Sequence, residues 1–209
     1  MFLFKLQDLS LFLPTKMFFL DNISTPGGFL SYVGLFLTQF FYYPWLGSLI
    51  LIFLLFVIHF LTMKAFKLPR KLYPLSFIPS LLLLLTITQL GYYIYLLYSN
   101  GYIFSNLVGV IICLGAFWIY RNINRSSLRL LFSFFFIIVF FHIAGFYSLF
   151  TVLLFMVFEI VTIKKDNRKD HFIVILPSLI FMFGIPFLYC QVFLVAMFPN
   201  VYRAALPAF

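Results

Sequence analysis

Five acidic side chains and three histidines carry most of the acid–base chemistry available to this chain of 209 residues. Asp166 and Asp170 lie within the run "KKDNRKD" among Lys and Arg and read as solvated loop charges. Glu159 is different. It sits about one turn inside an apolar run, where an ionisable group is costly and often functional. Its side chain is long enough to reach back toward Lys164 or Lys165 at the membrane surface, so interfacial anchoring is the expected role, ahead of a buried polar contact or a proton or ion site. His59 and His142 each lie near the end of an apolar run. Neither shares a helix face with an acid at ligand spacing, so no metal site and no cofactor is expected. Gln89, with Thr86 and Thr88 beside it, falls mid-span and is read as an interhelical hydrogen-bonding group rather than a substrate contact.

Asp8 and Asp21 support the sharpest chemical alternative. Several glycosyltransferases that use lipid-linked sugars keep a catalytic Asp in the first external loop, where a carboxylate acts as general base toward an acceptor hydroxyl. Asp21 near the membrane would suit that arrangement. The plain reading is that it caps or precedes a helix, and the likeness rests on fold-level analogy. No second acid or phosphate clamp accompanies it on the outer side apart from Lys16 and Arg203.

The elements that position these groups follow from composition. Hydrophobic residues make up 65% of the chain and charged residues 9%, with a mean hydropathy of +1.13. A soluble domain is roughly half apolar and about a quarter charged. Lipid must therefore be the solvent for most of the chain, and the lipid bilayer its first partner. The net charge of +9 does not indicate nucleic acid, because the cations cluster between apolar runs. Cys113 and Cys190 fall inside such runs and read as packing residues. The opening "MFLFKLQDLSLFLPTK", interrupted by Lys5, Asp8 and Lys16, is a poor signal peptide.

The expected architecture is all-α: a polytopic bundle of six crossings at 46–63, 75–98, 103–120, 128–143, 146–163 and 172–198. Residues 1–25 form an external segment, and 26–43 an outer interfacial or re-entrant helix. The loops following these crossings hold 4, 0, 3, 0, 4 and 1 basic residues. The rich ones carry Lys64, Lys67, Arg70 and Lys71, then Arg121, Arg125 and Arg129, then Lys164, Lys165, Arg168 and Lys169. Short loops rich in Lys and Arg stay in the cytoplasm. Since the loops on both sides of 128–163 are basic, that stretch must cross twice, turning at "HIAGFY", where Gly145 can end a helix. Tyr42, Tyr43 and Trp45 then fall at the outer interface.

Before them, Ser24 or Thr25 is the expected N-cap of a helix with Pro26 in its first turn. Gly27, Ser31, Gly34 and Thr38 share one face of it, a small-residue stripe that admits a close neighbour. The charge rule alone mildly favours a crossing here, since that would place Lys5 and Lys16 inside.

The run "PGGFLSYVGLFLTQFFYYPWLGSLI" resembles the N-terminal part of a Bacteroidetes family of multi-spanning membrane proteins, domain-of-unknown-function family 6057, and "HIAGFYSLFTVLLFMVFEI" resembles a second block of it. The resemblance implies that 26–43 follows an external loop and does not cross. It also implies a further crossing before this chain and a less apolar part after it, so the chain reads as a fragment. It carries no activity over to any residue. The expected setting is the bacterial cytoplasmic membrane, in multi-pass form. The working expectation is the anchoring or scaffold portion of an envelope protein, with other membrane or envelope proteins as partners. The glycosyltransferase-like enzyme is the first alternative. A small-solute transporter is the second, with Pro177, Gly184 and Pro186 interrupting the last span.

Overall fold

The computed structural model describes residues 12–93, 101–162 and 168–193. Asp8, Lys164, Lys165 and Arg203 lie outside them, as do the side chains of Arg70, Gln89, Arg168, Lys169 and Cys190. The described residues form eight α-helices: α1 (Lys16–Ile23), α2 (Gly28–Thr38), α3 (Pro44–Phe66), α4 (Ile78–Tyr93), α5 (Tyr102–Asn122), α6 (Ser126–Ala144), α7 (Phe146–Thr162) and α8 (Arg168–Phe193). Tight 3₁₀ turns, Gln39–Tyr42 and Arg70–Phe77, lead into α3 and α4.

Four helical stretches are long and apolar enough to cross a membrane: Pro44–Phe66, Ile103–Asn122, Ser126–Ala144 and His171–Leu188. With 17 residues, α7 is at the lower end of what a bilayer requires. Exposed Ile52, Phe53 and Phe56 on α3 and Leu176, Ile180 and Phe183 on α8 give the bundle an apolar outer wall. That wall fits lipid rather than water.

Local chemistry sets the helix ends. Pro44 occupies the first turn of α3, where its missing N–H costs nothing. The far end of α3 closes with Lys67 in the left-handed region at φ 48°: its N–H donates to the Lys64 carbonyl and that of Leu68 to the Met63 carbonyl. Between α6 and α7 stands only Gly145, at φ 55° and ψ −125°, a conformation that needs glycine. The stretch expected to cross twice is thus two helices joined by one residue. Pro177 and Pro186 are both carried within α8.

At the centre lies α5. More than half of its apolar window, 56%, is buried, against 28% or less in the other three long apolar helices. One side of it packs Phe104, Leu107 and Leu114 against Ile58 of α3 and Phe41. The other packs Phe117 and Tyr120 against Phe136 of α6 and Phe155 of α7.

The start of α2 differs from expectation. Ser24 and Thr25 bond back to the end of α1, through Asp21 and Asn22 carbonyls. Gly27, at φ 77°, precedes the first helical residue, and its N–H donates to the His142 carbonyl at 3.0 Å. The positive φ is what favours glycine here, since a Cβ would meet Gly145 and Ala144 only at ordinary contact distances of 3.5 and 3.7 Å. The stripe continues as Gly34, where a Cβ would fall 2.0 Å from Ser105 Oγ and 2.6 Å from the Gly101 carbonyl. Thr38 is fully buried and bonds the Gly34 carbonyl at 2.7 Å, and Ser31 likewise bonds the carbonyl four residues back, that of Gly27.

Gly27 meets the α6–α7 turn, Gly34 meets the start of α5, and Phe41, in the turn after α2, meets Gly47 at the head of α3, all at one end of the bundle. Tyr42, Tyr43 and Trp45 are exposed at that same end. An aliphatic branch at Gly34 should lift α2 off α5. Gly34→Val should lower stability by about 2 kcal/mol, read as thermal unfolding in detergent, with Phe29→Val on the exposed face as control. Equal melting of the two variants would rule out the close approach.

Candidate functional site

Four helices meet around one carboxylate. Glu159 lies one turn before the end of α7 and is 1% exposed. Its Oε1 accepts from the Tyr120 hydroxyl of α5 at 2.7 Å and from Arg129 Nη1 of α6 at 3.0 Å. Its Oε2 bonds Nδ1 of His171, near the start of α8. The expected reach toward Lys164 and Lys165 concerned residues outside those described. The Glu159 partners that are seen point inward, to α5, α6 and α8.

Each partner is held in turn. Arg129 Nε donates to the Ile123 carbonyl at 2.7 Å, which ties α6 to the connector before it. The Arg129 guanidinium lies 5.8 Å from the Tyr120 ring centre and 5.7 Å from that of Phe158. Tyr120 is itself stacked flat on Phe155, with ring centroids 4.0 Å apart. Beside them, Arg121 Nη1 donates to the Ala65 carbonyl at 2.8 Å and attaches the end of α3 to the same knot.

Both carboxylate oxygens are thus engaged, Oε1 by the Tyr120 hydroxyl and the permanently charged Arg129 guanidinium and Oε2 by His171. This arrangement joins helices. The sequence foretold Glu159 as a conspicuous intramembrane acid but missed Tyr120 and His171. The usable signal was depth: Tyr120, Arg129, Glu159 and His171 each lie about one turn from a basic loop.

A second polar joint forms around His59, which is 3% exposed on α3. Ser76 donates to the Tyr73 carbonyl at 2.6 Å and its Oγ lies 3.0 Å from His59 Nδ1. On the other side of the ring, Nε2 shares a 3.0 Å hydrogen bond with the Tyr73 hydroxyl. Phe77 stacks on the ring at 3.9 Å. Both ring nitrogens are committed to fastening the Arg70–Phe77 turn to α3.

The remaining candidates are scattered. His142 is half-buried near the α6–α7 turn, and its carbonyl receives Gly27. Asp21 is exposed within α1 rather than capping it; Thr15 is the cap, accepting from the Phe18 N–H at 3.3 Å. Asn106 and Tyr147, singled out by no motif, share a 2.7 Å hydrogen bond between α5 and α7, with the Tyr147 ring against Gly109. Among the described residues no three His, Cys, Asp or Glu side chains group to hold a metal ion.

Removing the permanent cation should strand the buried anion. Arg129→Met should destabilise the protein by about 3–5 kcal/mol. Combining it with Glu159→Gln should cost less than the sum of the two, with a coupling of about 1–3 kcal/mol. Thermal unfolding of the four proteins in one detergent measures the cycle, and strictly additive effects would show that the pair is not coupled.

No curated protein and no solved structure matches the chain. A family match, by contrast, extends over residues 1–207, well beyond the two blocks on which the resemblance was first read. The chain belongs to the family of unknown function DUF6057.

Proposed function

We propose that the chain is a multi-pass protein of the bacterial cytoplasmic membrane, with six crossings formed by α3 to α8. The basic loops face the cytoplasm, residues 1–25 lie outside, and α2 rests at the outer surface. Its work is structural: it anchors and scaffolds an envelope assembly, with other membrane or envelope proteins as partners.

The observation that carries the structural role is that every buried polar side chain among the described residues is paired within the bundle. Glu159, His59 and Asn106 are satisfied as above; Ser133 bonds Ser178 across α6 and α8 at 3.1 Å, and Ser80 bonds the Leu55 carbonyl across α4 and α3 at 3.1 Å. Thr38, Thr62, Ser148 and Thr151 bond carbonyls of their own helices or turns. A solute path needs polar groups facing water, whereas a scaffold needs them joined. The orientation is supported by the meeting of basic loops at one end, where Arg121 reaches Ala65 and Arg129 and His171 share Glu159.

A second reading rests on Asp21, exposed on α1 at the opposite end. In a lipid-linked-sugar transferase that carboxylate would serve as general base.

Fusions to a reporter active only outside the cytoplasm test the orientation. Those ending at Lys67 and Arg125 should be inactive and one ending at Gly145 active; uniform activity would overturn the topology. Cells carrying Asp8→Asn and Asp21→Asn should keep unchanged envelope glycans. A lost or altered glycan would favour the transferase over the scaffold.

A further inference from the structure

Among the described residues, the basic end of the bundle holds more positive charge than its acid neutralises. Lys64, Lys67, Lys71 and Arg125 are exposed there and Arg121 is half-buried. Glu159, the acid described at that end, is buried and already taken by Arg129 and His171. Because Arg121 donates to the Ala65 carbonyl, the end of α3 adjoins the end of α5. Lys64, Lys67 and Lys71 follow along the tail of α3 and its connector, and Arg121 and Arg125 along the tail of α5 and its connector, so the Arg121–Ala65 bond makes the two groups neighbours at one corner.

Two further observations say what kind of anion suits this corner. Lys67 is the one non-glycine residue at positive φ among the described residues, and it stands where a helix commonly ends in glycine. A side chain in that region carries backbone strain, and strain of this kind marks places where the side chain is wanted. Next to Lys71, the turn toward α4 exposes Leu72 (43%), Tyr73 (44%), Leu75 (49%) and Phe77 (41%). Cations and bare apolar side chains at one level match the boundary between headgroups and acyl chains. An anion bound there has hydrocarbon attached to it.

We propose that this corner binds the headgroup of an anionic glycerophospholipid. The phosphodiester sits among Lys64, Lys67, Lys71, Arg121 and Arg125, and the acyl chains lie along the exposed Leu72–Phe77 surface. The inference rests on the membrane-spanning reading above. It adds a specific lipid ligand to a loop set that otherwise only orients the chain.

The test is native mass spectrometry of the full chain in neutral detergent, offered phosphatidylglycerol or phosphatidylcholine. The wild type should retain the anionic lipid about tenfold more strongly. A variant combining Lys64→Gln, Lys67→Gln, Lys71→Gln and Arg125→Gln should bring the two lipids to parity. Lys67→Gly is the decisive single change. It relieves the backbone, so it should melt at the same temperature or higher while losing selectivity several-fold.

Equal retention of both lipids by the wild type would overturn the proposal, as would unchanged selectivity in Lys67→Gly. Displacement of the lipid by millimolar inorganic phosphate would mark a free-anion site and would overturn it too. Lipid retention is read in detergent and topology by reporter fusions in cells, so failure of the lipid site and failure of the six-crossing orientation give separate signals.

Discussion

A carboxylate taken out of water has to be matched almost completely, and the placing of four helices follows from how Glu159 is matched. Its oxygens draw Tyr120 from α5, Arg129 from α6 and His171 from α8 to one point on α7. Removing a charge from solvent costs several kcal/mol, so partial satisfaction would be worse than an apolar residue. The knot is therefore a device of registry. Sliding any of the four helices by one turn along its neighbour would move a donor about 5 Å away. Apolar packing between Phe136, Phe155 and Phe117 is more tolerant, since lipid and leucine are near equivalents as solvents.

The opposite end is organised by the absence of side chains. Gly34 admits Ser105 and the Gly101 backbone, Gly101 admits the backbone of Gly34 and Leu35, and Gly47 admits the Phe41 ring. Polar matching at one end and close backbone approach at the other bracket a middle that is aromatic and aliphatic. Each end uses the kind of interaction that lipid cannot imitate.

The all-helical character and the long apolar helices were legible in the sequence because apolar run length is a property of single segments, whereas α1, inside a stretch read only as an external segment, was not. The turn at Gly145 was expected from the two basic loops that flank one long apolar stretch, and two helices do part there. On the expected small-residue face of α2, Gly34 meets Ser105 and the Gly101 carbonyl, while Ser31 and Thr38 each bond the carbonyl four residues back. Partner choice was not legible. Glu159 stood out, yet its ligands come from residues 30 and 39 positions earlier and 12 later, at spacings that no local pattern encodes. The helix start was misplaced by reading Ser24 and Thr25 as caps. Both instead close the end of α1, and a glycine in the left-handed region takes over at Gly27.

The bond from the Gly27 N–H to the His142 carbonyl has a consequence for the order of assembly. Residue 27 leaves the ribosome more than a hundred residues before its partner. Synthesis at about 5–20 residues per second makes that a wait of several seconds or longer. Until then α2 can meet α5 through Gly34, but the Gly27 end has no α6–α7 turn to lie on. The α6–α7 hairpin, joined by one residue, must be in place before that end can be tied down. The segment made among the first is thus among the last to be fully seated, fixed along its whole length only once the later helices have paired.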